Sequence, residues 1–206
     1  MARLRATYDT LVERGGDAAF AEEVRALREA FATRTGAFGP EDRWFEVRSA
    51  AFWDDVVCSA FARRLAEGLG EDVLRATEAL RRAHRGLFRV RAERGAFTLS
   101  CVVSGIELSI DPPSGGLLDA LTRADGLVDG RVAGSPEEVV LLPGALFHPP
   151  DATEAITALL PVADARALEK DELLDALLRM ELSLHALSRV RPSFAYREAA
   201  LPRGKR

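Results

Sequence analysis

The chain has 206 residues, of which 48% are hydrophobic and 29% are charged, and its formal net charge is −4. This length allows one large domain or two small ones, with enough apolar area for a core that needs no metal or disulfide. The mild negative charge argues against a general nucleic-acid-binding protein.

The basic residues and amides are distributed unusually. Of the 28 basic residues 26 are arginine, and asparagine and glutamine are absent. We interpret this composition as the coding bias of a GC-rich bacterial genome. Selection against thermolabile amides is the less favoured alternative, because hyperthermophile proteins tend to be rich in lysine.

The sequence lacks the apolar segments that direct a chain to or across a membrane. No apolar run approaches the roughly 18 residues of a membrane span, and the N-terminal segment lacks the apolar region of a secretory signal. We therefore expect a cytoplasmic protein with no membrane partner. Cys58 and Cys101 are the only cysteines, and we interpret both as small buried residues rather than as a redox pair.

Apolar residues at helical spacing predict four helices in the first 84 residues. They cover residues 2–14, 17–33, 40–68 and 71–84. The third helix carries the aromatic residues Trp44, Phe45, Phe52, Trp53 and Phe61, which we interpret as core rather than as a ligand cage. Because its apolar residues occupy nearly every face, this helix is either central or interrupted near Cys58.

The hydrophobic period changes from 3.6 to two after Gly86. Three half-buried strands are predicted at 88–92, 97–103 and 106–110. A two-residue turn at Ser104-Gly105 would pair Val103 with Ile106 and Leu99 with Ile110. A four-residue loop at 93–96 would pair Ala92 with Phe97. The apolar side chains of all three strands would then lie on one face of the sheet.

Shorter elements complete the predicted fold. Strands are expected at 127–132, 139–142 and 145–147, and residues 117–124 are either helix or strand. Asp151 is expected to cap a helix that ends at Pro161, and a last helix runs from about Leu168 to Val190.

These elements predict an α+β protein. A helical domain (1–84) precedes a small antiparallel β-barrel (85–150) of about five strands, SH3-like or OB-like. The C-terminal helices (151–191) pack back on one of them, and a basic tail (192–206) is expected to be mobile.

The last predicted helix carries a wide apolar stripe. We call it the leucine seam, and its members are Leu173, Leu177, Met180, Leu184 and Leu187. A stripe of this width requires burial on two sides. The helix therefore either docks on its own chain or joins a second copy in a homodimer.

Sequence motifs for catalysis are absent. There is no glycine-rich phosphate loop, no His-Glu-x-x-His, no Cys-x-x-Cys and no Gly-x-Ser-x-Gly, so we predict no cofactor and no metal. His148 with Asp151 is the best acid–base pair, although we favour a simple loop residue. Asp54 and Asp55 point about 100° apart on a helix, and we interpret them as an exposed face. Cys58 has no basic neighbour within one turn to activate it.

Arginines concentrate where the last N-terminal helix meets the first strand. Residues 75–94 contain seven arginines and two glutamates, a local net charge of +5, and residues 189–206 also carry +5. The residues that we single out are Arg81, Arg82, Arg85, Arg89 and Arg91. This arginine patch binds phosphate or carboxylate groups, or it pairs with acidic helices of the same chain, which we favour.

These features lead to three hypotheses about function. The first is a non-enzymatic adaptor or regulatory module that binds a protein or itself through the leucine seam or the arginine patch. The second is backbone-directed nucleic-acid binding through Arg82, Arg85, Arg89 and Arg91, without base stacking because the outer face lacks aromatic residues. The third is an enzyme whose site is assembled from scattered residues, for example around His148 or Asp54.

Overall fold

A curled antiparallel sheet of six strands forms the centre of the computed structural model, which describes residues 3–93, 95–187 and 190–204. The strands are β1 (His84–Glu93), β2 (Ala96–Cys101), β3 (Glu107–Ile110), β4 (Leu127–Gly134), β5 (Val139–Leu141) and β6 (Leu146–Phe147). Eight α-helices occur in the described residues and surround this sheet. They are α1 (Leu4–Gly15), α2 (Ala21–Thr35), α3 (Phe45–Val57), α4 (Ala62–Ala66), α5 (Glu71–Arg81), α6 (Gly115–Thr122), α7 (Thr153–Ala165) and α8 (Lys170–Ala186). The predicted α+β class with a small barrel-like sheet is therefore confirmed.

The strand order distinguishes between the two predicted kinds of barrel. It is β3-β2-β1-β4-β5, and β6 pairs with β4 beyond the end of β5. The two edges meet where the Asp111 N–H donates to the Val139 carbonyl, at 2.8 Å. Because α6 connects β3 to β4, this connectivity is OB-like rather than SH3-like.

The two faces of the sheet are covered differently. The inner face is apolar, with Phe88, Leu99 and Val128 packed against Leu121 of α6. On the outer face, one apolar cluster joins β4, β5 and β6 to α1, α3, α4 and α5. A second cluster joins Leu87 and Leu127 to α7, α8 and the C-terminal segment. Helices therefore lie on both sides of the barrel.

The pairing of β1 with β2 is as predicted, whereas the pairing of β2 with β3 is not. Ala92 pairs with Phe97, but Leu99 pairs with Leu108 instead of Ile110, a shift of two residues. The shift accompanies the end of β2 at Cys101, after which Val102 packs against the outer cluster of α7 and α8 and Val103 contacts both this cluster and the inner one. Since the shift is even, the apolar residues keep the same face.

Two helix predictions need comment. The third predicted helix is interrupted near Cys58, as one alternative foresaw: α3 ends at Val57 and α4 begins at Ala62. Pro161, in contrast, lies inside α7 and does not end it. It is exposed, so the carbonyl that loses its helical partner is left at a solvent-facing position. Asp151 lies in a short turn before α7 and makes no side-chain cap.

The C-terminal segment packs on the molecule up to Gly204. Tyr196 and Leu201 are buried in the outer cluster of α7 and α8, and the Arg166 guanidinium donates to the backbone carbonyls of Glu198 and Leu201. The predicted tail (192–206) therefore contacts the rest of the molecule over residues 192–204, and its mobility stays a prediction. Lys205 and Arg206 lie outside the described residues, as do Ser188 and Arg189 at the predicted end of the last helix.

The leucine seam docks on its own chain. Leu173, Leu177 and Met180 are buried against α7 and the C-terminal segment, and Leu184 is partly buried beside them. Only Leu187, after the end of α8, is exposed, at 46%. Among the described residues, none of the helices combines the length and apolarity required to cross a membrane.

Candidate functional site

A groove runs along α1 where this helix crosses the open end of the barrel. Three adjoining cavities of about 190, 550 and 400 Å³ form it. The first two share Arg5 and Asp9, and Glu137 lines both the second and the third. We call these three adjoining cavities together the α1 groove.

The chemical character of the α1 groove changes along its length. The first cavity has apolar walls, formed by Tyr8, Pro113, Leu117, Val140 and Leu142. The second is rich in carboxylates, with Asp9, Asp111, Glu137 and Glu138 opposed only by Arg3 and Arg5. The third has a small apolar floor and ends at Arg82. A ligand lying in the groove would therefore meet an apolar pocket first and an acidic surface next.

The floor of the first cavity is fixed from beneath by Asp54. Its carboxylate accepts hydrogen bonds from the Tyr8 hydroxyl at 2.8 Å and from the Gly144 N–H at 3.0 Å. The side chain is buried, so the interpretation of Asp54 as part of an exposed face is wrong. Burial raises the pKa of Asp54 to about 7, against the opposing effects of Arg131 and of these two hydrogen bonds.

A chain of alternating charges lies between the sheet and the helices on its outer face. It joins, in order, Asp129, Arg85, Asp175, Arg34, Asp55 and Arg131, with N–O distances of 3.4, 2.7, 2.8, 2.6 and 2.5 Å. Arg85 and Arg131 are direct neighbours on β1 and β4, and the other residues come from α2, α3, α8 and β4. We call this set the ion network.

The charges of the ion network balance in number, but the buried Arg85 Nε has no hydrogen-bond partner in the described residues. The adjacent arginines keep the pKa of the Asp175 carboxyl below its usual value, although burial opposes this effect. Asp129 is more deeply buried, and desolvation raises its pKa despite the nearby Arg85. Three guanidinium groups and three carboxylates thereby fix how the helices sit on the sheet.

Sequence reasoning did not predict the ion network, although the sequence of β4 contains a signal for it. Asp129 and Arg131 alternate with apolar residues in a strand of which both faces are buried. Charged side chains are almost never fully buried unless they are paired, so this pattern points to buried partners. It does not identify them, because Arg34 and Asp175 are 141 positions apart in sequence.

A second buried charge cluster connects α3 to α8. The Arg48 side chain is fully buried and donates to the Glu181 carboxylate at 2.6 Å and to the Thr35 carbonyl at 3.1 Å. Glu181 also contacts His185. The His185 ring stacks on Trp44, with ring centroids 5.0 Å apart.

His148 and Cys58 are unsuited to the catalytic roles considered for them. His148 is 3% exposed and bonds through Nδ1 to the Tyr196 hydroxyl at 2.7 Å, not to Asp151. Burial lowers its pKa to about 4. Burial also raises the pKa of the Cys58 thiol to about 12, which outweighs the opposing charge of Arg131. Both cysteines are unpaired thiols.

The structure separates the five members of the arginine patch. Arg85 lies in the ion network, and Arg81 bonds to Glu78 at 2.9 Å. Arg82 lies at the end of the α1 groove. Arg89 borders a shallow cavity beside α7, and Arg91 is exposed, 3.9 Å from Glu93.

No single basic surface results from this arrangement in the described part of the chain. Arg94, which contributed to the predicted positive charge, lies outside the described residues. Across residues 3–93, 95–187 and 190–204, no three His, Cys, Asp or Glu side chains are grouped to hold a metal ion.

The fold and the groove together define an α+β protein built on an OB-like barrel, with an internal ion network and an external groove. Comparison of the chain with protein-family models, with curated proteins and with solved structures gave no match.

Proposed function

We propose that this chain is a non-enzymatic adaptor or regulatory module that binds a protein partner in the α1 groove. The observation that carries the proposal is that an apolar cavity adjoins an acidic one, since Arg5 and Asp9 line both. An exposed apolar patch that is rimmed by polar residues is typical of an interaction site or a ligand-binding groove. We propose a bacterial origin on the basis of the arginine-rich, amide-free composition, and we propose the cytoplasm as the location.

The charges of the groove indicate the chemistry of the partner. Asp9, Asp111, Glu137 and Glu138 surround the middle cavity, where they exceed the two arginines. A partner segment with an apolar side chain followed by a lysine or arginine would complement both parts. Such complementarity mainly increases association rate and specificity.

The positions of the titratable groups favour binding over catalysis. Asp54 and His148 are buried, and each is hydrogen-bonded to another side chain of the fold. A general acid or base must reach the proton that it transfers within hydrogen-bonding distance. The Tyr8 hydroxyl is also engaged within the fold, because it donates to Asp54 beneath the first cavity.

The dispersal of the arginine patch weakens the nucleic-acid alternative. Backbone-directed binding needs several guanidinium groups on one surface to neutralise adjacent phosphates. Arg85 is internal, and Arg82 and Arg89 border different cavities. A steep loss of DNA or RNA affinity with added salt would nevertheless revive this alternative.

Site-specific photo-crosslinking in the native host tests the adaptor proposal. A photoreactive residue replaces Asp9 at the groove, and a matched control carries it at the exposed Glu29 of α2. We expect a crosslinked partner of discrete mass from position 9 only. The adduct should disappear when Glu137→Arg reverses a charge within the groove.

Two outcomes would contradict the proposal. One is an identical set of adducts from positions 9 and 29. The other is an adduct at position 9 that Glu137→Arg leaves at full yield, since binding would then not involve the acidic part of the groove.

A further inference from the structure

The first cavity of the α1 groove has room for one aromatic ring. Its volume is about 190 Å³, and an engineered apolar cavity of about 150 Å³ in another protein binds benzene. An aliphatic side chain has fewer carbon atoms than a benzyl group and would leave part of this cavity unfilled, which forfeits dispersion contacts. The volume therefore favours a single aromatic ring as the group that fills it.

The walls of this cavity are apolar and are fixed from behind by the core. Tyr8, Val140 and Leu142 belong to the apolar cluster beneath it and are 5%, 1% and 2% exposed. The Tyr8 ring is also held through its hydroxyl, which donates to Asp54 at 2.8 Å. Aromatic rings attract each other beyond what their buried area contributes. A fixed tyrosine ring in the wall therefore favours an aromatic occupant over a saturated one.

The charge at the mouth of this cavity comes from Asp9. Its side chain is exposed, lines both the first and the second cavity, and makes no ion pair or hydrogen bond among the described residues. Arg5 lines the same two cavities, but its guanidinium donates to the Pro112 carbonyl at 3.0 Å. Beyond Asp9, the carboxylates of the second cavity outnumber its arginines. A positive charge a few bonds from the ring would therefore complement the mouth of the cavity.

We propose that the first cavity binds an aromatic ring with a positive charge a few bonds away, which in a protein partner is a phenylalanine next to a lysine or arginine. This inference rests on the proposed function and narrows the partner's apolar residue to an aromatic one. The ring lies against Tyr8, between α1, α6 and β5, and the cation faces Asp9. Because separate residues recognise the ring and the charge, the two can be tested separately.

Titration with phenethylammonium, which carries only the ring and the cation, tests the site without a partner. We expect saturable changes in the backbone amide NMR signals of Tyr8, Leu117 and Val140 in the full chain, with a dissociation constant of about millimolar. Butylammonium lacks the ring and should bind at least about tenfold more weakly. Cyclohexylethylammonium keeps the charge but not the aromaticity, and should bind about two- to tenfold more weakly. Phenylpropionate keeps the ring, reverses the charge and should also lose affinity.

Two variants locate the ring and the cation. Leu117→Trp places a larger side chain of α6 at the first cavity and should abolish the amide shifts, with circular dichroism as the check on folding. Asp9→Asn should weaken phenethylammonium binding by about two- to fivefold, while phenylpropionate should bind no more weakly than to wild type. Because Asp9 is exposed, this variant keeps the test decisive even where Leu117→Trp unfolds the chain. Glu13→Gln, one turn further along α1 and outside the three cavities, is the matched control and should leave both ligands unaffected.

Three results of the titration would overturn the inference. They are the absence of saturable shifts at the cavity residues, equal binding of butylammonium or cyclohexylethylammonium, and tighter binding of phenylpropionate than of phenethylammonium.

Competition in a cell extract separates this inference from the adaptor proposal. Saturating phenethylammonium should reduce the crosslinked adduct formed at position 9. An adduct that persists at full yield would overturn the aromatic anchor and leave the adaptor proposal intact. Phenethylammonium binding without any partner adduct would support the ring site and contradict the adaptor proposal.

Discussion

Arg85 and Arg89 lie on the same face of β1, but one is buried in the ion network and the other is exposed. Both point to the outer face of β1, four positions apart, but Arg85 is 6% exposed and lies between Asp129 and Asp175, whereas Arg89 is exposed to solvent. Removing Arg85 leaves the buried Asp129 without its ion pair and leaves Asp175 with Arg34 alone. The same change at Arg89 breaks no described ion pair.

We therefore predict that Arg85→Met lowers the free energy of unfolding by about 3–5 kcal/mol. Arg89→Met is the matched control and should change it by less than about 0.5 kcal/mol. Urea unfolding at neutral pH measures both. Equal stabilities of the two variants would show that the ion network contributes nothing to the fold.

His148 makes the stability depend on pH because its pKa is low only in the folded state. It falls from an ordinary 6.5 to about 4, chiefly through burial, with Arg48 lowering it and Glu181 raising it. Between these values the unfolded chain binds more protons, so this contribution is complete above pH 6.5 and is lost as the pH falls toward 4. Its magnitude is about 3 kcal/mol.

Asp54 acts in the opposite direction over nearly the same range. Its pKa is raised from 3.8 to about 7 in the folded state, so the folded chain binds more protons and gains stability as the pH falls. The two groups therefore oppose each other, and their contributions to the pH dependence partly cancel between pH 7 and pH 4.

Replacing His148 should expose this compensation. Relative to wild type, we predict that His148→Leu gains up to about 3 kcal/mol in unfolding free energy as the pH is lowered from 6.5 to 4. Urea unfolding at several pH values measures the difference. Tyr196→Phe keeps the buried imidazole and should retain the wild-type slope, whereas a pH-independent difference for His148→Leu would contradict the assignment.

At the scale of elements, the contact between α3 and the β5–β6 edge depends on a glycine. The segment between β5 and β6 contains Pro143-Gly144, and α3 packs directly on Gly144. A Cβ on Gly144 would lie 2.5 Å from the Ala51 Cα. The Gly144 N–H, which has left the strand pairing, donates to Asp54 of the same helix.

We predict that Gly144→Ala separates α3 from the sheet and lowers the unfolding free energy by about 1–3 kcal/mol or more. Gly116 in α6 is the control, because a Cβ there meets no atom within 4 Å. Gly116→Ala should instead stabilise the protein by about 0.5–1 kcal/mol through helix propensity. Thermal unfolding measured by circular dichroism distinguishes the two, and a neutral Gly144→Ala would show that α3 has room to adjust.

At the scale of the whole molecule, the apolar clusters cross the boundaries predicted at residues 84 and 150. The cluster of α1 and α3 also contains Val140 and Leu142 of the barrel segment and Leu178 of α8. Residues 1–84 therefore bury their apolar side chains partly against later segments. The predicted division at residues 84 and 150 stays a prediction, and the cooperativity of unfolding tests whether its parts fold separately.

We expect residues 3–204 to unfold in one cooperative step. Both tryptophans, Trp44 and Trp53, lie in the N-terminal helical part, so their fluorescence reports on that part, while far-UV circular dichroism reports on all helices and strands. The two urea transitions should coincide. An earlier fluorescence midpoint would show that the N-terminal helices separate from the barrel as an independent unit.

The sequence by itself determined the types of most elements and the faces that they bury, but it left residues 117–124 open as helix or strand. Hydrophobic periodicity is a local property, so the helices, the β-meander and the inner face of the barrel follow from residues close together in the chain. Tertiary structure alone decided the partners of the charges, the β2–β3 register and the docking of α8 and the C-terminal segment. Arg85 meets Asp175 across 90 positions, and no local pattern encodes a contact over that separation.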